Sequence, residues 1–165
     1  MSIAVYVLDT SYLIELFACG RHSNPVASTA VRRLFKDANS RGGRFFVPLP
    51  CLFELGDHIA DVGHDELRAK LARGLVETVK GCLRQNKPWT ITPTGLPEDI
   101  LPDLVDRFSS LASKQRIGLV DTFTASEATR LKNKFQNLKA RVHIWTNDRT
   151  LKGMEPDKES NPYFW

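Results

Sequence analysis

The chain has few of the features that would assign it to a specialised class. It has three cysteines in 165 residues, Cys19, Cys51 and Cys82, with no paired spacing and no C-x-x-C. An odd, scattered set of this kind excludes a disulfide framework and a cysteine zinc cluster, and it fits a reducing compartment. Long apolar runs are also missing. The run at the start, Ile3 to Leu8, stops after six residues at Asp9, too short for a signal-peptide core or a membrane span. The expectation is therefore a cytoplasmic protein with no membrane partner. No glycine-rich turn follows that first run, which argues against a dinucleotide binder. Extreme charge is absent as well: the net charge is +4 and the sequence pI is near 9.1.

What is present suits one globular domain over 1–165. Apolar residues make up 42% and charged residues 25%, close to ordinary soluble usage and enough for one core. The mild basic excess is concentrated. From Ala128 to Lys152 there are seven Lys or Arg and a single carboxylate, Asp148. Such a segment fits a polyanionic partner, although many basic helical faces are merely solvated.

Strands and helices alternate along the chain. Ile3–Leu8, Arg44–Leu49, Trp89–Thr92 and Arg141–Trp145 read as strands, the first as one buried on both faces. The tail Asn161–Trp165 is a candidate short edge strand. Helices are expected over Tyr12–Ala18, Ala27–Asn39, Pro50–Asp61, Asp65–Gln85, Glu98–Ser113 and from Asp121 to about Phe135, with Pro93 to Pro97 as a turn. In Asp65–Gln85 the inward set is Leu67, Leu71, Leu75, Val79 and Leu83. This order predicts an α/β domain, three layers α/β/α, around a mainly parallel sheet of four to five strands.

In such sheets ligands bind beyond the carboxyl ends of the strands. Asp9 stands immediately after the first strand, Asp148 just beyond the last internal strand, Asp121 at a helix start, and Glu54 in the first turns of the helix after the second strand. Four carboxylates far apart in sequence can thus meet in one cleft. Clustered carboxylates repel one another unless a cation neutralises them. Hard oxygen ligands suit Mg²⁺ or Mn²⁺, and the chemistry served best is phosphodiester hydrolysis by an activated water. Each acid also has a plainer reading: Asp9 and Asp121 as helix caps, Asp148 as a turn residue, Glu54 as part of a solvent-facing stripe with His58 and Asp61. Glu54 and His58 share i,i+4 spacing. Without a second His or Cys cluster that pair reads as surface rather than as a zinc site, and Asp57 and Glu127 read as peripheral.

The motifs resemble those of PIN domains. Val7-Leu8-Asp9-Thr10-Ser11 is similar to that family's opening strand-end motif. Pro50-Cys51-Leu52-Phe53-Glu54-Leu55 is similar to the helix that supplies a Glu, and Leu119-Val120-Asp121-Thr122-Phe123-Thr124-Ala125 to the helix start that supplies a third acid. Thr146-Asn147-Asp148-Arg149-Thr150-Leu151 is similar to the closing motif, with Leu where Phe is frequent. The four occur in the family's order over residues 5 to 151. The resemblance implies a metal-dependent endoribonuclease, plausibly the toxin of a toxin–antitoxin pair. It makes Asp9, Glu54, Asp121 and Asp148 the catalytic metal ligands, for Mg²⁺ or Mn²⁺, with Thr10, Ser11 and Thr146 in support. Lys132, Lys134 and Arg149 are the candidate RNA contacts, and a small antitoxin and a second copy of the chain are the expected protein partners. The alternative is a non-catalytic PIN-fold module that binds RNA or protein. A phosphotransferase of the haloacid-dehalogenase kind fits less well, because its second Asp would fall at Ser11.

Overall fold

The computed structural model describes residues 3–92 and 97–160. In chain order the elements are β1 (Ala4–Leu8), α1 (Thr10–Phe17), α2 (Pro25–Ser40), β2 (Arg44–Pro48), α3 (Leu49–Ala60), α4 (Asp65–Gln85), β3 (Thr90–Thr92), α5 (Pro97–Gln115), α6 (Leu119–Lys134), β4 (Arg141–Trp145) and α7 (Arg149–Gly153), with 3₁₀ turns at Gly20–His22 and Gln136–Leu138. The strands form one sheet in the order β3-β2-β1-β4, and every pairing is parallel.

Helices cover both faces of this sheet, because alternate residues of each strand belong to different cores. Tyr6 and Leu8 of β1 point to the side that packs Tyr12, Leu13, Val31, Leu52, Leu55 and Ile59. Val5 and Val7 point to the other side, with Ala125, Ala128 and Leu131 of α6 and Leu151 of α7. The result is the three-layer α/β/α arrangement expected. β1, β2 and β4 are buried along nearly their whole length, which is why the sequence shows them as continuous apolar runs rather than as alternating ones.

One expectation about an element changes. The spacing of Leu67, Leu71, Leu75, Val79 and Leu83 advances four residues at a time, so each step overshoots a turn by about 40°. By Leu83 the stripe has rotated off the core: Leu83 is 75% exposed, and Cys82, three residues after Val79, is buried instead. The expected edge strand at Asn161–Trp165, like the turn at Pro93–Pro97 apart from the helical backbone of Pro97, lies outside the described residues. Along the outer edge of β4, side chains engage the backbone groups. The Asp157 carboxylate accepts from Val142 N and the Glu155 carboxylate from Ile144 N. Lys152 Nζ donates to the Ile144 carbonyl and Lys132 Nζ to the Ala140 carbonyl. Strand edges are otherwise templates for further pairing.

The connections β1–α1–α2–β2 and β2–α3–α4–β3 carry the chain outward from β1, whereas α5 and α6 return it to the opposite side for β4. The order of the strands therefore reverses between β1 and β4, and ligand crevices form at that switch point. No helix among the described residues is long and apolar enough to cross a membrane.

Candidate active site

Asp9 follows β1 at the switch point, where its backbone N–H donates to the Trp145 carbonyl at the end of β4. Its side chain caps α1 and is held by one hydroxyl from α1 and one from the segment after β4. Oδ2 accepts from Ser11 Oγ at 2.7 Å and from Thr146 Oγ1 at 2.9 Å. The two hydroxyls in turn accept from the segment after β4: Asn147 N donates to Ser11 Oγ and Asp148 N to Thr146 Oγ1, each at 3.0 Å. The opening and closing motifs are thus one hydrogen-bonded unit. Asp148 caps α7 through Oδ1, which accepts from Thr150 N and Leu151 N at 2.6 and 2.8 Å. Glu54, on the second turn of α3, accepts from Thr10 Oγ1 through Oε2 at 2.6 Å. In each of these three carboxylates the hydrogen bonds described above engage a single oxygen.

The plainer readings of these acids are therefore half right. Asp9 and Asp148 are helix caps, and that is how they are fixed in place. Asp121 is not a cap. It is the third residue of α6, whose cap position is Gly118. Asp121 enters the same cleft and feels the other acids. Burial, and then the carboxylates of Asp9 and Asp148 and more weakly Glu54, push its carboxyl up to about 6, against a hydrogen bond from the Gly118 backbone that pulls it down. Such a shift is how mutual repulsion among carboxylates registers. Thr10, Ser11 and Thr146, the expected supporting residues, hydrogen-bond Glu54 and Asp9 and fix the orientation of those carboxylates.

The cleft has a volume of about 350 Å³, and Asp9, Glu54 and Asp121 line it together with Asp57 and His58. Asp57 and His58 were expected at the periphery. The signal that would have placed them is on α3 itself, because residues three and four after Glu54 share its face. Glu127 does stay apart from the cleft: it is buried and holds Arg130 through both oxygens. It belongs to a second cavity of about 270 Å³ between α5 and α6, where Arg107 donates to Ser126, so much of the charge there is already engaged.

The basic residues do not gather at the cleft. Lys132 and Lys134 lie at the far end of α6, eleven and thirteen residues from Asp121, roughly 16 to 20 Å along the helix axis. Lys132 is tied to both oxygens of Asp157 at 2.7 and 2.8 Å, and Lys134 sits 5.7 Å from the centre of the Phe135 ring. Arg149 is the first residue of α7, directly after Asp148.

No protein-family model matches this chain, and no curated protein matches it. The donor set must therefore speak for itself. Apart from the His58 ring, it consists of carboxylate oxygens and hydroxyls. All are hard oxygen donors of the kind that Mg²⁺ or Mn²⁺ selects. As they lie, no three Asp, Glu, His or Cys side chains among the described residues close on a single ion, so the acids converge on the cleft without forming a finished cage. A cysteine nucleophile does not fit. Cys51, beneath the cleft, is pushed up to about 12, chiefly by burial and then by Asp9, and a thiol so raised is inert.

Proposed function

We propose that this chain is a divalent-cation-dependent endoribonuclease of the PIN-domain kind. The observation that carries the reading is the meeting of acids from four separate places in the chain at one sheet edge. They are Asp9 after β1, Glu54 on α3, Asp121 on α6 and Asp148 after β4, three of them anchored by hydrogen bonds through one oxygen. A structure does not gather like charges at a cost to its own stability unless a counter-charge is expected. Asp9, Glu54, Asp121 and Asp148 would hold Mg²⁺ or Mn²⁺. Such a cation supplies an acidified water and offsets charge developing on the phosphoryl oxygens. The protein's own part is to orient these acids through Thr10, Ser11 and Thr146, and to offer Arg149 to the substrate backbone. RNA as the substrate rests on the PIN resemblance, which also suggests a small antitoxin partner. A homodimer would use the apolar side chains left uncovered on α4 and α5, such as Leu83, Leu101 and Val105.

The second reading, a PIN-fold module that binds without cutting, draws on the observation that, among the described residues, no three Asp, Glu, His or Cys side chains close on one ion as they lie. Incubating purified protein with end-labelled RNA in Mn²⁺, with an EDTA control, separates the two. Cation-dependent fragments are the expected result, and intact RNA that is nonetheless bound would favour the second reading.

A further inference from the structure

One side chain in the cleft wall has no part in holding a cation. His58 lies one turn beyond Glu54 on α3 and lines the same cleft. The other polar groups lining it are carboxylates and hydroxyls, and the hydroxyls of Thr10 and Ser11 already donate to Glu54 and Asp9. A polyanionic strand entering such a wall meets acceptors almost everywhere. An imidazole is different, because it keeps an N–H donor whether neutral or charged.

The surroundings of His58 hold that ring in place. The ring of His22, from the turn after α1, packs against it with centroids 4.9 Å apart and planes at 58°. His22 Nε2 in turn lies 3.1 Å from Asp61 Oδ2, within ion-pair range though not aligned as a hydrogen bond. Arg21 pairs with the same carboxylate oxygen and holds the Asp61 carboxyl below its usual range. A chain of contacts thus runs from Asp61, one residue beyond the end of α3, through His22 back to His58. Both histidines are partly buried, and neither belongs to the apolar core packed beneath α3.

We infer that His58 binds a backbone phosphate flanking the scissile one, on a single RNA strand laid along α3; this rests on the nuclease reading above. Four residues along a helix is about 6 Å of axis, so a group at His58 meets the strand beside the acids rather than among them. Its contribution is to binding, not to bond cleavage, and His22 is a positioning residue that acts through it.

The test uses the full chain, a short fluorescent single-stranded RNA and Mn²⁺. Affinity is read as KM where the RNA is cut and as Kd by anisotropy where it is not. His58→Ala is expected to weaken affinity about ten- to a hundredfold, the range of a hydrogen bond to a charged group, with kcat within about twofold of the parent. His58→Gln, which restores an N–H donor, should recover most of the loss, and His22→Ala should show a smaller one. Lys36→Ala, exposed on α2, should leave affinity unchanged. An unaltered KM or Kd in His58→Ala, a loss in kcat alone, or a His58→Gln as poor as His58→Ala would overturn the inference. RNA bound but uncut by the parent chain would remove the nuclease reading and leave Kd to decide the role of His58. RNA neither bound nor cut would remove both.

Discussion

Replacing Asp121 by Asn should stabilise the cation-free protein, and the gain should depend on pH. In the fold the Asp121 carboxyl is pushed up to about 6 from an ordinary 3.8, by burial and by its acidic neighbours. Its folded-state pKa is therefore the higher one, so the penalty falls on the ionised form. It is absent below about pH 4, grows as the pH rises through the folded value, and is constant above it. At 1.36 kcal/mol per pH unit the gap corresponds to about 3 kcal/mol. Asp121 is only partly buried, and solvent screening reduces this to about 1–2 kcal/mol. In a domain of this length that is a rise in Tm of about 3–6 °C. Thermal melts of Asp121→Asn and the parent, followed by circular dichroism in EDTA from pH 4 to pH 8, measure it. The difference should be largest above pH 7 and should nearly vanish at pH 4. A variant no more stable than the parent at pH 7.5, or a gain independent of pH, would refute the claim that the acids strain one another in this cleft.

Three further outcomes follow from the same geometry. Millimolar Mn²⁺ should raise the Tm of the parent by mass action, with little effect on an Asp9→Asn/Asp148→Asn double variant; equal shifts in both melting curves would remove the cation from this site. Lys132→Ala should lower stability by about 1–2 kcal/mol in a urea titration, because it takes the lysine donor from the Ala140 carbonyl and the ion pair from Asp157, which keeps the Val142 N–H. Arg149→Ala should instead flatten the salt dependence of RNA affinity, so a stable Lys132→Ala with weakened RNA binding would reverse the two roles. On α4, Leu71→Ala should cost about 2–4 kcal/mol and Leu83→Ala less than about 0.5 kcal/mol; comparable costs by denaturant melting would contradict the rotation of the apolar stripe.

The sheet was readable in the sequence because β1, β2 and β4 are buried on both faces and so appear as unbroken apolar runs. The acids were readable for a related reason. In a parallel sheet, position directly after a strand fixes which edge a residue occupies, so Asp9 and Asp148 could be brought together from opposite ends of the chain. Inference failed where proximity depended on direction rather than on position. Lys132 is close to Asp121 in sequence, but α6 carries it down the full depth of the sheet. Leu83 continues a regular spacing that nevertheless drifts around its helix. The five-residue α7 is too short to show a period, although its cap Asp148 and the following Thr150 were in plain view. The segment from Glu155 to Glu159 seals β4 with side chains, through partners such as Val142 and Trp145. That arrangement leaves no local pattern to read. Asp57 reads as peripheral and His58 as surface in the sequence, although their spacing from Glu54 already puts all three on one helical face.

The measurement that bears most directly on the central claim is RNA cleavage in Mn²⁺ by the parent chain and by Asp9→Asn, Glu54→Gln, Asp121→Asn and Asp148→Asn, with circular dichroism to verify the fold of each. Each substitution removes a charge and keeps the size of the side chain. Acids that hold a cation should each be needed, so cleavage should fall by about a hundredfold or more in the three Asp variants, with a loss in Glu54→Gln as well. Folded Asp9→Asn that cuts RNA at the parent's rate would contradict the account.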